Sequence, residues 1–118
     1  MGELPPEVEK KLVEFQNMQE QLQLFASQKM QAKMQAEEIE GAIAAVKEAA
    51  GKVFKSAGFV VIESDKETLL KELAEKKESA DLRLQVLTRQ EDKIRRRVLE
   101  LKSELEAAAK TMPKGSGA

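Results

Sequence analysis

Cysteine, histidine, tryptophan and tyrosine are all absent from this 118-residue sequence, and only three prolines, six glycines and four phenylalanines are present. Without cysteine there is no disulfide framework and no thiol chemistry. Without histidine, cysteine or tyrosine, the usual nucleophiles and proton carriers of an active site are missing. No Gly-Lys-Ser/Thr follows Gly51 or Gly58, so no phosphate-cradling loop is present. No catalytic, cofactor-binding or metal-ligating residues are therefore assigned, and an enzyme is not expected. No run is long and apolar enough to span a bilayer, and the opening MGELPPEVEKK has no apolar h-region. A cytoplasmic protein is expected. A formal net charge of −1 gives no global field to attract nucleic acid or acidic membrane.

Charge and helix-favouring residues are plentiful. Asp, Glu, Lys and Arg make up 35% of the chain, aromatics 3%. That balance suits long helices better than a compact core. The one contrasting stretch runs from Lys52 to Ser64, KVFKSAGFVVIES, and holds Val53, Phe54, Phe59, Val60, Val61 and Ile62. Such residues favour a pleated, half-buried surface. Gly58 divides it into two short strands. A two-residue loop and a type I turn closed by a left-handed Gly58 both fit. Phe59, Val61 and Glu63 share one face, Val60 and Ile62 the other. Both faces of the second strand are thus apolar, and a lone two-stranded hairpin is marginal in water. Hairpins of other chains are expected to complete a sheet or barrel here, which makes the six apolar residues the expected oligomerisation surface.

Two long apolar stripes flank this segment. The first is Phe15, Met18, Leu22, Phe25, Lys29, Ala32, Ala36, Ile39, Ile43 and Val46. The second is Leu70, Leu73, Lys77, Ala80, Leu84, Leu87, Glu91, Ile94, Val98, Leu101, Leu105, Ala108 and Met112. A three-four repeat sustained this far marks a coiled coil. Pro5-Pro6 suits a first helical turn, Gly51 a C-terminal stop, and Ser64-x-x-Glu67 a capping box. The expected fold is mostly α: two long helices in an antiparallel coiled coil, joined by a single β-hairpin that assembles into an intersubunit β-barrel. One domain covers 1–118, with helix one at about 6–50, the hairpin at 52–64, helix two at 65–112 and a disordered tail at 113–118. The first helix would span roughly 65 Å. Folding back at the hairpin places Val46 near Leu70 and Phe15 near Leu101 or Leu105. It also brings Lys29 to Glu91, as a seam ion pair fixing register or as two side chains whose charged heads reach water.

The remaining clusters are bland. Glu37, Glu38 and Glu40 read as a solvated helix face. Lys93, Arg95, Arg96 and Arg97 read as an outward, ion-paired face, since no stacking aromatics accompany them. Met30 and Met34 are expected to flank the seam, partly buried. At the free ends, Leu4, Val8, Leu12, Phe15, Leu105 and Met112 exceed what two helices can bury, and Leu24 is also off the stripe. These ends either bind unfolded chains weakly and without sequence preference or are ordinary exposed apolar residues.

These features together resemble the β-type subunit of the prefoldin family in its archaeal form. The resemblance rests on Gln21-Leu22-Gln23, on Val53-Phe54-Lys55-Ser56-Ala57-Gly58 followed by Phe59 to Ile62, on Arg83-Leu84, on Leu87-Thr88-Arg89-Gln90-Glu91-Asp92-Lys93, and on Val98-Leu99-Glu100-Leu101. Phe54 stands where members often carry Tyr, and Ala57 where they often carry a larger apolar residue. One hairpin instead of two separates the chain from α-type subunits. The resemblance implies a hetero-hexamer of two α-type and four β-type subunits, with a double β-barrel body and coiled-coil tentacles. It implies ATP-independent capture of non-native polypeptides at the tentacle tips, client-binding through the free-end residues, transfer to a group II chaperonin, and no cofactor. A structural coiled-coil oligomerisation adaptor without chaperone activity is the alternative.

Overall fold

The computed structural model describes residues 4–111. The element order is α1 (Pro6–Glu48), β1 (Val53–Ala57), β2 (Val60–Ser64) and α2 (Lys66–Thr111). Met112 and the tail expected at 113–118 lie outside the described residues.

Each helix boundary has an identifiable polar cause. Pro6 opens α1 as its first helical residue, and the Pro5 carbonyl accepts from Val8 N at 2.9 Å and Glu9 N at 3.0 Å. Proline loses nothing there, because a first-turn N–H has no intrahelical partner. Gly41 lies inside α1 without interrupting it. The stop expected at Gly51 is realised differently. The helix ends at Glu48, and among the described glycines only Gly58 has a positive φ. The last carbonyls are satisfied by a side chain: Lys66 Nζ donates to Lys47 O at 2.6 Å and Ala49 O at 3.1 Å. A cation at a helix C-terminus also complements the helix dipole.

The capping residue of α2 lies one position later than expected. Ser64 is held in the strand ladder opposite Val53. Asp65 is the first residue free of it. The Asp65 carboxylate accepts from Thr68 N at 2.8 Å and from the Thr68 hydroxyl at 2.7 Å. These bonds, the backbone one foremost, hold the Asp65 carboxyl below its ordinary range.

Two compact units are present. The first comprises Gln28–Leu87, and so contains the hairpin. In it the C-terminal part of α1 and the N-terminal part of α2 run antiparallel: Lys66 meets the end of α1, and further along Lys77 Nζ lies 3.1 Å from Glu40 Oε1. Ala32, Ala36, Val53, Leu69, Ala80 and Leu87 are buried in this unit. The second unit joins residues up to Ser27 with those from Thr88 onward. There the helices also run antiparallel, with Lys11 paired to Glu104 at 3.6 Å and Glu14 to Arg97. Leu101 is its fully buried residue, at 0% exposure. Every described residue of the two apolar stripes is buried or half-buried.

Candidate functional site: the hairpin and the free ends

β1 and β2 pair antiparallel with Val53 opposite Ser64, Phe54 opposite Glu63, Lys55 opposite Ile62, Ser56 opposite Val61 and Ala57 opposite Val60. A two-residue loop, Gly58-Phe59, closes the hairpin. Gly58 sits at φ 62° in its first position, and among the described residues no non-glycine residue has a positive φ. That is the type II′ arrangement, which favours glycine first and matches the strand twist. Phe59, expected in a strand, is therefore at the apex of the turn.

The register sorts the hairpin into two faces. Val53, Lys55, Ala57, Val60 and Ile62 lie on one; Phe54, Ser56, Val61 and Glu63 lie on the other. The first face turns toward α2 at its base. Val53 is buried there, and Lys55 Nζ donates to both carboxylate oxygens of Glu72 at 3.2 Å. Nearer the turn this support ends. Val60 and Ile62 are exposed and Phe59 reaches 109%; on the other face Phe54, near the base, is exposed and Val61 is 68% exposed. Five of the six expected oligomerisation residues are thus uncovered in the single chain, on both faces and at the apex. Val53 is the exception: it is buried at the base of the hairpin. Leu69, which the sequence stripe did not include, is buried in the same unit. It stands four residues before Leu73, a helical spacing that a stripe started on Leu70 passed over.

In the second unit, Leu4, Val8, Phe15 and Leu105 are half-buried, while Leu12 is exposed. Leu24, Val13 and Leu99 are exposed as well. Val13 and Leu99 were not singled out from sequence, because a stripe search passes over isolated apolar residues on the outer face. Arg97 departs from the outward face expected for the basic run. It is half-buried and makes a bidentate bridge to Glu14, Nε to Oε1 at 2.8 Å and Nη2 to Oε2 at 3.1 Å. The fork geometry of the guanidinium matches a carboxylate, which makes such pairs specific. The bond to Arg97 holds Glu14 below the ordinary carboxylate range, and Glu14 followed by Glu100 raises Arg97. Arg95 pairs with Glu91 along the helix at 3.2 Å.

Lys29 belongs to the hairpin unit and is half-buried; Glu91 belongs to the other unit and is buried. Met30 and Met34, expected to be partly covered, are 60% and 53% exposed. Both are thus covered in part, with more than half of each side chain open to solvent.

Among the described residues no group of three or more acidic residues could hold a metal ion, and no helix is long and apolar enough to cross a membrane. The surface depressions are open grooves along the helices. What the arrangement offers is surface: an apolar hairpin and two exposed helix faces.

A family model described as prefoldin subunit matches residues 9–111. The chain belongs to the prefoldin subunit family. Within it, the chain is 36% identical to prefoldin subunit beta of Methanothrix thermoacetophila, over 98% of either chain. It is 35% identical to prefoldin subunit beta of Archaeoglobus fulgidus, over 90% of this chain and 93% of that one. Among solved structures it is similar to the crystal structure of the prefoldin beta subunit from Thermococcus strain KS-1, with a TM-score of 0.85 and 30% identity. That likeness covers 96% of this chain and 100% of the other. The prefoldin fold of two long helices joined by one antiparallel hairpin is the fold described above, and the chain is a β-type prefoldin chaperone subunit.

Proposed function

We propose that this prefoldin subunit is one part of a cytoplasmic hetero-hexamer of two α-type and four β-type subunits that captures non-native polypeptides without ATP. The hexamer passes them to a group II chaperonin. The observation that carries the assembly is the hairpin, whose apolar side chains are exposed on both faces and at its apex. Fully burying a Val, Ile or Phe side chain contributes about 1.5–3 kcal/mol, so hairpins of neighbouring subunits gain by covering one another. Val53, Phe54, Phe59, Val60, Val61 and Ile62 form that contact, with Val53 supporting it from beneath.

Client capture uses the free ends. Leu4, Val8, Leu12, Phe15, Leu105 and Met112 supply weak apolar contacts. Several arms acting together raise a weak contact to useful avidity. Weak, adaptable apolar surface suits clients that share no sequence. Removing residues 1–12 and 106–118 should abolish suppression of client aggregation while leaving assembly intact. Undiminished suppression by the truncated complex would sink the assignment of the ends. An adaptor without chaperone activity would assemble equally well yet leave an unrelated unfolded protein to aggregate at near-stoichiometric amounts.

A further inference from the structure

Ion pairs between the helices gather near the free end of the second unit. Arg97 makes its bidentate bridge to Glu14 and also donates from Nη1 to Glu100 at 3.1 Å. Lys11 lies 3.6 Å from Glu104. Among the described residues no ion pair between the helices lies closer to the free end than Lys11–Glu104. Arg97, Leu101 and Glu104 follow one another at helical spacings of four and three and share a face of α2; Lys11 and Glu14, three apart, share one on α1. The two bridges therefore stand on either side of Leu101 along the arm. Leu101 has 0% exposure, whereas Leu69 and Leu87 in the hairpin unit keep 8% and 6%. Apolar packing alone does not give a leucine near the end of an arm the best cover in the protein. Long charged side chains lay their hydrocarbon stems over apolar surface while their heads stay in water, and Lys11 and Arg97 are placed to do so.

We infer that the Glu14–Arg97 and Lys11–Glu104 bridges form a latch over Leu101. While they hold, the end of the arm stays closed; when they break, the helices part from Leu101 outward and that leucine joins the exposed apolar surface. Exposed ion pairs contribute little singly, but bidentate arginine pairs within a charge network are the kind that do contribute. Helix ends open locally at small free-energy cost, so a contribution of this size changes how often the end is open. The consequence for client capture rests on the function proposed above: the latch sets how much apolar surface the end displays.

Hydrogen exchange on the complex with an α-type partner reads the latch. Glu14→Gln combined with Glu104→Gln should speed exchange between Val98 and Thr111 by at least about threefold, and leave Gln28–Leu87 unchanged. Arg96→Gln removes a neighbouring exposed charge that belongs to neither bridge, and should change neither region. Unchanged exchange near the free end would overturn the inference. Equal acceleration in both units would overturn it too, since that is general destabilisation. The chain contains no cysteine, so Lys11→Cys and Glu104→Cys can be joined by a short bismaleimide linker that closes the end without charge. The linked chain should keep slow exchange there even with Glu14→Gln; fast exchange would count against the latch. Aggregation of a chemically unfolded client is the separate readout. The Glu14→Gln/Glu104→Gln complex should suppress it at about a third of the concentration that the unaltered complex needs, because a larger fraction is open. Faster exchange with unaltered suppression leaves the latch standing and defeats the capture role proposed for the ends.

Discussion

Val61→Asp separates the two roles that the hairpin could have, self-packing and partner-packing. Val61 is 68% exposed in the single chain and lies opposite Ser56, on the face that turns away from Lys55 and Glu72. In an isolated chain the substitution is a surface change, and such changes stay within about 0.5 kcal/mol. In an assembly that covers this face the same change acts twice. It forfeits about 1–2 kcal/mol of apolar burial, taking the exposed part of a valine side chain at 1.5–3 kcal/mol when fully buried. It also places a carboxylate without a partner in the interface, which costs about 2–5 kcal/mol. A total near 4 kcal/mol corresponds to roughly a thousandfold weaker association. Sedimentation velocity on the complex formed with an α-type subunit should therefore show dispersal at micromolar concentration. Circular dichroism of the dispersed chain should show unchanged helix content. A complex of unaltered mass would refute the reasoning, and so would loss of helix, which would mean that Val61 supports its own chain.

Three further outcomes follow from particular contacts. Leu101→Ala should destabilise the protein by about 2–5 kcal/mol, the usual cost of a leucine-sized cavity, because Leu101 is fully buried. Leu99→Ala, two residues earlier and 59% exposed, should stay within about 0.5 kcal/mol; denaturant titration of both variants checks the pair, and equal effects would contradict the assigned seam. Asp65→Asn should reduce the acid sensitivity of the start of α2. The Asp65 pKa is lowered in the fold by its bonds to Thr68, so its contribution is present above the unfolded carboxylate range and is lost as pH falls through the lowered folded value. Asparagine keeps an N-cap acceptor without that titration, and hydrogen exchange at Thr68 and Leu69 as pH is lowered is the readout; identical acid profiles would contradict the cap. Glu14→Gln should remove the acid-dependent part of the Arg97 bridge, since Glu14 is lowered in the same sense, and the pH titration of the Arg97 side-chain signals by NMR should flatten; an unchanged titration would contradict the pair.

The seam was legible because helical periodicity is a long-range signal: each described stripe residue from Phe15 to Val46 and from Leu70 to Ala108 is buried or half-buried, including the polar members Lys29, Lys77 and Glu91. The hairpin was legible because β-branched and aromatic residues concentrate in one short run. What was hidden depends on competition among neighbours. The cap of α2 falls on Asp65 because the ladder has already claimed Ser64. The end of α1 relies on Lys66, a residue eighteen positions beyond Glu48 and invisible to any local helix-stop rule. Arg97 was assigned outward with its neighbours, but a long side chain next to the seam can reach Glu14 on the facing helix. Met30 and Met34, expected outside the seam with partial burial, keep more than half of their surface exposed, since an offset of one or two residues moves a helical position by 100° or more. At the turn, Gly58 alone could not choose between two loop types; the observed register chooses the one in which it comes first.

Assembly requires that the exposed apolar hairpin be covered by other chains. Native mass spectrometry of the unaltered chain, alone and after mixing with an α-type prefoldin subunit, measures this most directly. The mixture should give a species with the mass of two α-type and four β-type chains, from which the Val61→Asp variant is absent. A chain that stays monomeric in both samples, with its hairpin amides and side chains behaving as stably protected, would contradict it.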